Sequence, residues 1–328
     1  MTQLYPLKFK TIFKDKIWGG DKIRTHLNKD FTPLSNCGET WEISGVSGNV
    51  SIIQNGNLAG KSLSSIIEDF KGELLGEKVF ERFGYEFPLL VKFIDAADDL
   101  SIQVHPNDEI AQRLHHSKGK TEMWYVIQAD KDAKLVSGFN ATINEETYLR
   151  HLNTGNLFDI LNQEFANTGD VFFLPAGRVH YIGKGLLIAE IQQTSDITYR
   201  IYDFDRKDDN GNLRELHTEQ ALKVLDFNFH DNFKTEYVST LNQSIEIVNC
   251  EYFTTHILTF DKEYKFSYAD LASFVVLVGV SGVSNVTFGN QTISLNLGEC
   301  ILLPASCKTV TFYPNGLCKF LLSYITPN

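Results

Sequence analysis

The chain has 328 residues, enough for two domains, with 43% hydrophobic and 22% charged residues and no apolar run long enough to span a membrane, the longest lying near residues 274–280. A net charge of −11 argues against a nucleic-acid binder and against adhesion to anionic membranes, yet allows a local Arg/Lys cluster for a phosphorylated small molecule. The five cysteines are odd in number and form no Cys-x-x-Cys pair, and residues 1–10 hold no apolar signal core; a cytoplasmic protein without a disulfide framework is expected.

With 24 Phe and 13 Tyr, and abundant Val and Ile, the composition leans toward strands. Taken in chain order, Ser62 can cap a helix running toward Phe70. Strands are expected over residues 87–94, 100–104 and 122–127, each rich in β-branched and aromatic residues between turn formers. Thr142 followed by Glu145 reads as a capping box that opens a small helical insertion near 142–165, with a second short helix around 157–161. Further strands are expected over 171–174, 186–192 and 198–202, and Thr218 can cap a helix toward Leu225. Residues 227–240 are polar and aromatic without a period and read as a linker or an irregular strand.

One internal repeat stands out. Gly169-Asp170-Val171-Phe172-Phe173-Leu174-Pro175-Ala176 matches Gly298-Glu299-Cys300-Ile301-Leu302-Leu303-Pro304-Ala305 in chemical type, at a constant offset of 129 residues. A duplicated β unit predicts two barrels in tandem, split near 235–250. After the repeat the copies diverge: the first reaches His180, where the second has Thr309. If His180 is a metal ligand, only the first barrel has a site.

Three segments carry the candidate chemistry. On a strand, Ser101, Gln103 and His105 alternate onto one face. Glu122 begins an apolar strand, where an acid is ordinarily a solvated strand end. Residues 169–180 fit Gly-x5-Pro-x-Gly-x2-His, a strand, a turn and a histidine entering the next strand. Two imidazoles, a carboxylate and an amide oxygen form a mixed N/O set suited to zinc and other first-row divalent ions. Arg200 can equally be a surface arginine paired with Asp196 or Asp203, Lys120 a solvated loop lysine, and His115-His116 a solvated loop.

The stretch 169–180 resembles the second conserved motif of the cupin superfamily. The first motif departs from the usual two His and a Glu: it reads Gln103-Val104-His105-Pro106, with Glu122 following 17 residues after His105. That variant, followed by Lys120-x-Glu122-Met123, resembles the type I mannose-6-phosphate isomerases, most closely their short bacterial branch. So do the stretches 38–44, 87–92 and 192–200. The resemblance implies a mainly β fold of two tandem cupin (jelly-roll) barrels: a catalytic domain over 1–240 with the insertion near 142–165, and a degenerate cupin domain over 241–328 without a metal site. It implies one zinc ion per chain on Gln103, His105, Glu122 and His180. It further implies Arg200, Glu190 and Lys120 as catalytic residues, and Ser101 with Arg206 or Lys207 on the phosphate side. The implied reaction interconverts mannose 6-phosphate and fructose 6-phosphate through a cis-enediol. Glu190 and Lys120 are candidates for the general base, and a water held by the metal is a third. The competing readings are a metal-dependent cupin dioxygenase, against which Gln103 counts, and a non-catalytic sugar-phosphate binder, against which Arg200 and Glu190 count.

Overall fold

The computed structural model describes residues 3–207 and 211–326. The strand-rich composition yields a mainly β chain. Its N-terminal half contributes β1 (Ile12–Lys14), β2 (Glu39–Ile43), β3 (Leu89–Ala96), β4 (Ile102–Val104), β5 (Glu122–Ala129), β6 (Lys134–Phe139), β7 (Leu161–Phe165), β8 (Val171–Leu174), β9 (His180–Ile182), β10 (Leu186–Gln193) and β11 (Tyr199–Tyr202). The C-terminal half contributes β12 (Gln243–Asn249), β13 (Thr254–Phe260), β14 (Tyr264–Ser267), β15 (Val275–Ser281), β16 (Val283–Phe288), β17 (Gln291–Asn296), β18 (Cys300–Leu303), β19 (Thr309–Pro314) and β20 (Cys318–Tyr324).

Two sheets form in each half, in the orders β1-β2-β3-β10-β5-β8 and β11-β4-β9-β6-β7, then β12-β13-β20-β15-β18 and β14-β19-β16-β17. Strand by strand, β3-β10-β5-β8 answers to β13-β20-β15-β18, and β4-β9-β6-β7 to β14-β19-β16-β17. The repeat seen in sequence is therefore one corresponding strand in each half: β8 and β18 both lie at a sheet edge, beside β5 and β15. Between the first pair of sheets lie Trp124, Val126, Leu135, Ile182 and Ile188. Between the second pair lie Leu258, Phe260, Val286, Phe312 and Phe320.

The two halves share a third core. The residues of β3, β5 and β10 alternate between faces, as strand geometry requires. Leu89, Val91 and Phe93, Met123 and Tyr125, and Leu187, Ala189 and Ile191 fall in one continuous cluster with Ile257, Val276, Val278, Leu302 and Leu321 of the C-terminal half. The helix Leu63–Leu75, capped by Ser62 whose side chain accepts from Ser65 N, adds Ile66, Ile67 and Leu74. Its end touches the C-terminal half directly. Phe274 N donates to Leu75 O at 3.1 Å, and the Phe274 ring lies 4.9 Å from that of Phe87. A Cβ on Gly76 would stand 2.1 Å from Ala272 O, at a φ of +95°, so only glycine fits.

Several local expectations shift. The insertion holds the helix Glu145–Asn153 and a 3-10 turn Leu157–Ile160, but residues 161–165 form β7. Asn144, not Thr142, caps that helix; Thr142 Oγ1 instead accepts from Phe229 N. His217 rather than Thr218 stands at the next N-cap, and its side chain makes no cap bond. His115 ends a helix, Asp108–His115, and bonds Tyr199 at 2.7 Å rather than lying in a loop. Thr309 opens β19, but Val310 takes the core position, because the 3-10 turn Ala305–Cys307 and Lys308 replace the turn that precedes His180.

Phe274→Ala should cost about 3–5 kcal/mol, the range for emptying a buried aromatic site. Urea unfolding should show one cooperative transition at a lower midpoint. Two separated transitions would mean that the shared core does not couple the halves.

Candidate metal centre and active-site cavity

The inner faces of β3, β5 and β10 carry the polar chemistry. Glu122 opens β5, Lys92 lies in β3 and Glu190 in β10, all at least 94% buried. Register explains the pairing: Lys92 stands directly across from Glu190, and Glu190 across from Trp124. Lys92 Nζ lies 3.1 Å from Glu190 Oε1, and Trp124 Nε1 donates to Glu190 Oε2 at 2.9 Å. In the facing sheet, Gln103 stands directly across from His180.

These strands bring His105, Glu122 and His180 together, with one ligand atom from each lying within 4.8 Å of the others. His105 Nδ1 contacts Ile197 O at 2.9 Å and His180 Nδ1 contacts Arg178 O at 2.8 Å. A carbonyl can only accept, so both Nδ1 atoms carry the proton and both Nε2 atoms present a lone pair. Burial first, and Lys120 second, push both imidazoles down, His180 to about 3, which keeps them neutral and able to ligate. The edges of the cluster are 3.5 Å from His105 Nε2 to Glu122 Oε2, 3.4 Å from His180 Nε2 to Glu122 Oε1, and 3.2 Å from His180 Nε2 to the Gln103 amide. Neighbouring ligands of a tetrahedral zinc ion with bonds of about 2.0–2.1 Å stand about 3.3 Å apart. The Gln103 oxygen reaches the same place by a half-turn of the amide. Glu122 Oε1 is buried with no hydrogen-bond partner among the described residues. Burial pushes the Glu122 carboxyl up to about 7, against the pull of Lys120, whose Nζ lies 2.5 Å from Oε2. A divalent cation here satisfies the orphaned oxygen and reverses that shift. The residues fit a metal.

Above the cluster opens a cavity of about 290 Å³. Ser101, Gln103, Lys120, Glu190 and Arg200 all line it. Lys120 bridges cavity and cluster, with Nζ 2.9 Å from His105 Nε2. Arg200 Nη1 donates to Glu215 O at 2.8 Å, and its Nε is buried without a partner among the described residues. Burial raises the Glu190 carboxyl, but Lys92 and then Lys120 outweigh it and hold the group ionised.

Residues 6–135 match the catalytic domain of type I phosphomannose isomerases, and residues 243–325 the mannose-6-phosphate isomerase cupin domain. The chain is 35% identical over 334 residues to the probable mannose-6-phosphate isomerase GmuF of Bacillus subtilis strain 168, covering 98% of this chain and 99% of the relative. It is equally 35% identical to the mannose-6-phosphate isomerase of Streptococcus mutans, over 94% of this chain and 95% of that one. The crystal structure of the mannose 6-phosphate isomerase from Bacillus subtilis superposes with a TM-score of 0.86 at 31% identity, over 98% of this chain and 99% of that one. The chain belongs to the type I mannose-6-phosphate isomerase family.

Within this isomerase scaffold, the structure places Arg206 and Arg214 differently. Arg206 is not among the residues lining the cavity. Its Nη2 lies 2.5 Å from Asp203 Oδ1, its Nε donates to Asp203 O at 3.2 Å, and Nη1 bonds the Asp99 carbonyl. Lys207 forms a backbone bridge with Leu213, also away from the cavity lining. Arg214 lines the cavity instead, held by Nε and Nη2 to the Asp203 carboxylate. It lies past the last family motif, in a stretch with no periodic signal, so sequence reading missed it. Lys16, Glu39 and Lys92 also line the cavity; Lys16 and Lys92 had no role in the sequence reading, and Glu39 stands in a strand whose polar edge, with Trp41 and Glu42, was a candidate border of the pocket. Lys92 and Lys16 hold the buried Glu39 carboxyl at about 2, against desolvation.

His180→Ala should abolish bound metal, measured by elemental analysis, and Thr309→Ala should leave the content at one ion per chain. Chelation should lower the melting temperature of the wild type, since the ion binds the folded cluster.

Proposed function

We propose that this protein interconverts mannose 6-phosphate and fructose 6-phosphate through a cis-enediol, using one zinc ion held by Gln103, His105, Glu122 and His180. The observation that carries this reading is the union of a three-residue His/Glu/His cluster with a cavity walled by Lys120, Glu190 and Arg200. The chain is a metal-dependent isomerase by family, and zinc suits the N/O donors and their spacing. The reading of two tandem jelly-roll barrels, divided near residue 240, is supported by the equivalent strand orders and by the separate matches over 6–135 and 243–325. A dioxygenase is disfavoured by Gln103, and a silent sugar-phosphate binder by the presence of all three candidate catalytic side chains.

The sugar C2 proton is weakly acidic, so its removal needs the charge on the enediol oxygens to be stabilised. When bound, the ion supplies Lewis-acid stabilisation of that charge. Arg200 adds a guanidinium whose Nη1 is fixed by Glu215 O and whose buried Nε is available to a developing anion. Proton transfer between C2 and C1 falls to Lys120, which lines the cavity. Glu190 is the other candidate for this step: Trp124 donates to its Oε2, and its Oε1 lies 3.1 Å from Lys92 Nζ but takes no hydrogen bond among the described residues. Its single negative charge faces Lys92 and lies in the same wall as Lys120. The phosphate is assigned to Ser101 with Arg214, which replaces Arg206 in that role.

A coupled assay of fructose 6-phosphate formation tests the function; full activity in a verified metal-free sample would overturn it. Arg200→Ala should retain metal and fold while kcat falls about 10²–10³-fold, with a much smaller change in KM. Arg200→Lys should recover part of the loss, because a point charge lacks the planar fork. Arg214→Ala should raise KM for the sugar phosphate well above the effect of Arg206→Ala, a contrast read from saturation kinetics.

A further inference from the structure

The segment that delivers Lys120 is held at each of its backbone donors. Lys120 N donates to Pro106 O at 3.0 Å. Gly119 N donates to Asp108 Oδ1 at 2.7 Å, and Thr121 N donates to Gln193 Oε1 at 2.8 Å. Gln193 Nε2 donates in turn to Asp108 Oδ1 at 3.0 Å, which closes the arrangement around the lysine. The approach is too close for any side chain at residue 119: a Cβ on Gly119 would lie 2.6 Å from both Asn107 C and Asp108 N. Gln193 is the last residue of β10, only 6% exposed, and no group in the proposed chemistry uses its side chain. Asp108 opens the helix Asp108–His115, so the clamp ties that helix to β10.

We propose that Asp108 and Gln193 are positioning residues that fix the Gly119–Thr121 backbone and thereby aim the Lys120 Nζ into the cavity. The C-terminal half shares in this. Tyr252 borders the small cavity that also touches Asp108 and Gln193. Its phenol is pushed up to about 12, by burial first and by the Asp108 charge second. A lysine side chain has four rotatable bonds, and a reacting nitrogen displaced by about 1 Å can lose about two orders of magnitude in rate. The inference rests on the role given to Lys120 under the proposed function, and deepens it.

The test is steady-state kinetics on the metal-loaded full chain. Gln193→Met keeps length and bulk but loses both clamp bonds. Its kcat should fall roughly 10- to 100-fold, with KM changed little and metal content unchanged. Asp108→Asn keeps an oxygen acceptor for Gly119 and should retain most of the rate, whereas Asp108→Ala should not. In a Lys120→Met background, Gln193→Met and Asp108→Ala should cost little more, because they act through the missing amine. An unchanged kcat in Gln193→Met, or an undiminished further loss in the Lys120→Met background, overturns the clamp. Full turnover in Lys120→Met alone instead overturns the role of the lysine itself. Should Gln193→Met fail to fold, the Asp108→Ala and Asp108→Asn pair decides the matter by the same comparison.

Discussion

The sheet built on β3, β5 and β10 is covered on both faces. One side meets the C-terminal half and the helix Leu63–Leu75; the other closes on the facing sheet and the cavity. Every residue of β3 and β10 is accordingly buried. In such a place a charge survives only beside its opposite or a cation. The register supplies this: Lys92 lies across from Glu190, and Glu190 across from Trp124. A slip of one residue would drive Lys92, Glu122 and Glu190 into the shared apolar core. Site and fold are thus fixed by the same pairing.

The sequence was most informative where chemistry and periodicity coincided. The strands that carry Gln103 and Glu122 stand within two residues of their expected bounds, because polar and apolar residues alternate there or the apolar run ends at a turn former, and His180 opens β9 as the motif's histidine entering the next strand. Ser62 was legible as a cap because its hydroxyl precedes an apolar helical run. Thr142 misled: its hydroxyl serves Phe229 N, a contact made 87 residues away that no local pattern signals. Helix Asp108–His115 was hidden by its composition, since Ala111 is its only fully buried residue and, apart from Ile110 and Leu114, the rest is polar. Arg214 was invisible for a similar reason. Its place depends on Asp203 and on a loop path, and neither is written in a period.

The candidate metal ligands were legible by spacing only as a mixed set of N and O donors. Taken singly, Glu122 reads as a solvated strand end, yet it is fully buried. What converts it is the sheet-to-sheet meeting with His105 and His180, a tertiary fact. The family resemblance carried that information in advance. It was less useful on the phosphate side, where its alignment was loosest and where Arg206 is engaged with Asp203 and Asp99.

The matching strand orders of the two halves come with opposite interiors. Where the first holds Gln103, Glu122 and His180, the second turns Phe266, Val275 and Val310 toward an aromatic and aliphatic core. Chemistry and robustness ordinarily compete within one interior, because orphaned polar atoms and like charges weaken the structure that must hold them. Here they are divided between two copies of one connectivity. The apolar copy acts as ballast: its outer face braces the sheet whose inner face bears the charges. The reactive copy can then keep a charge-laden interior.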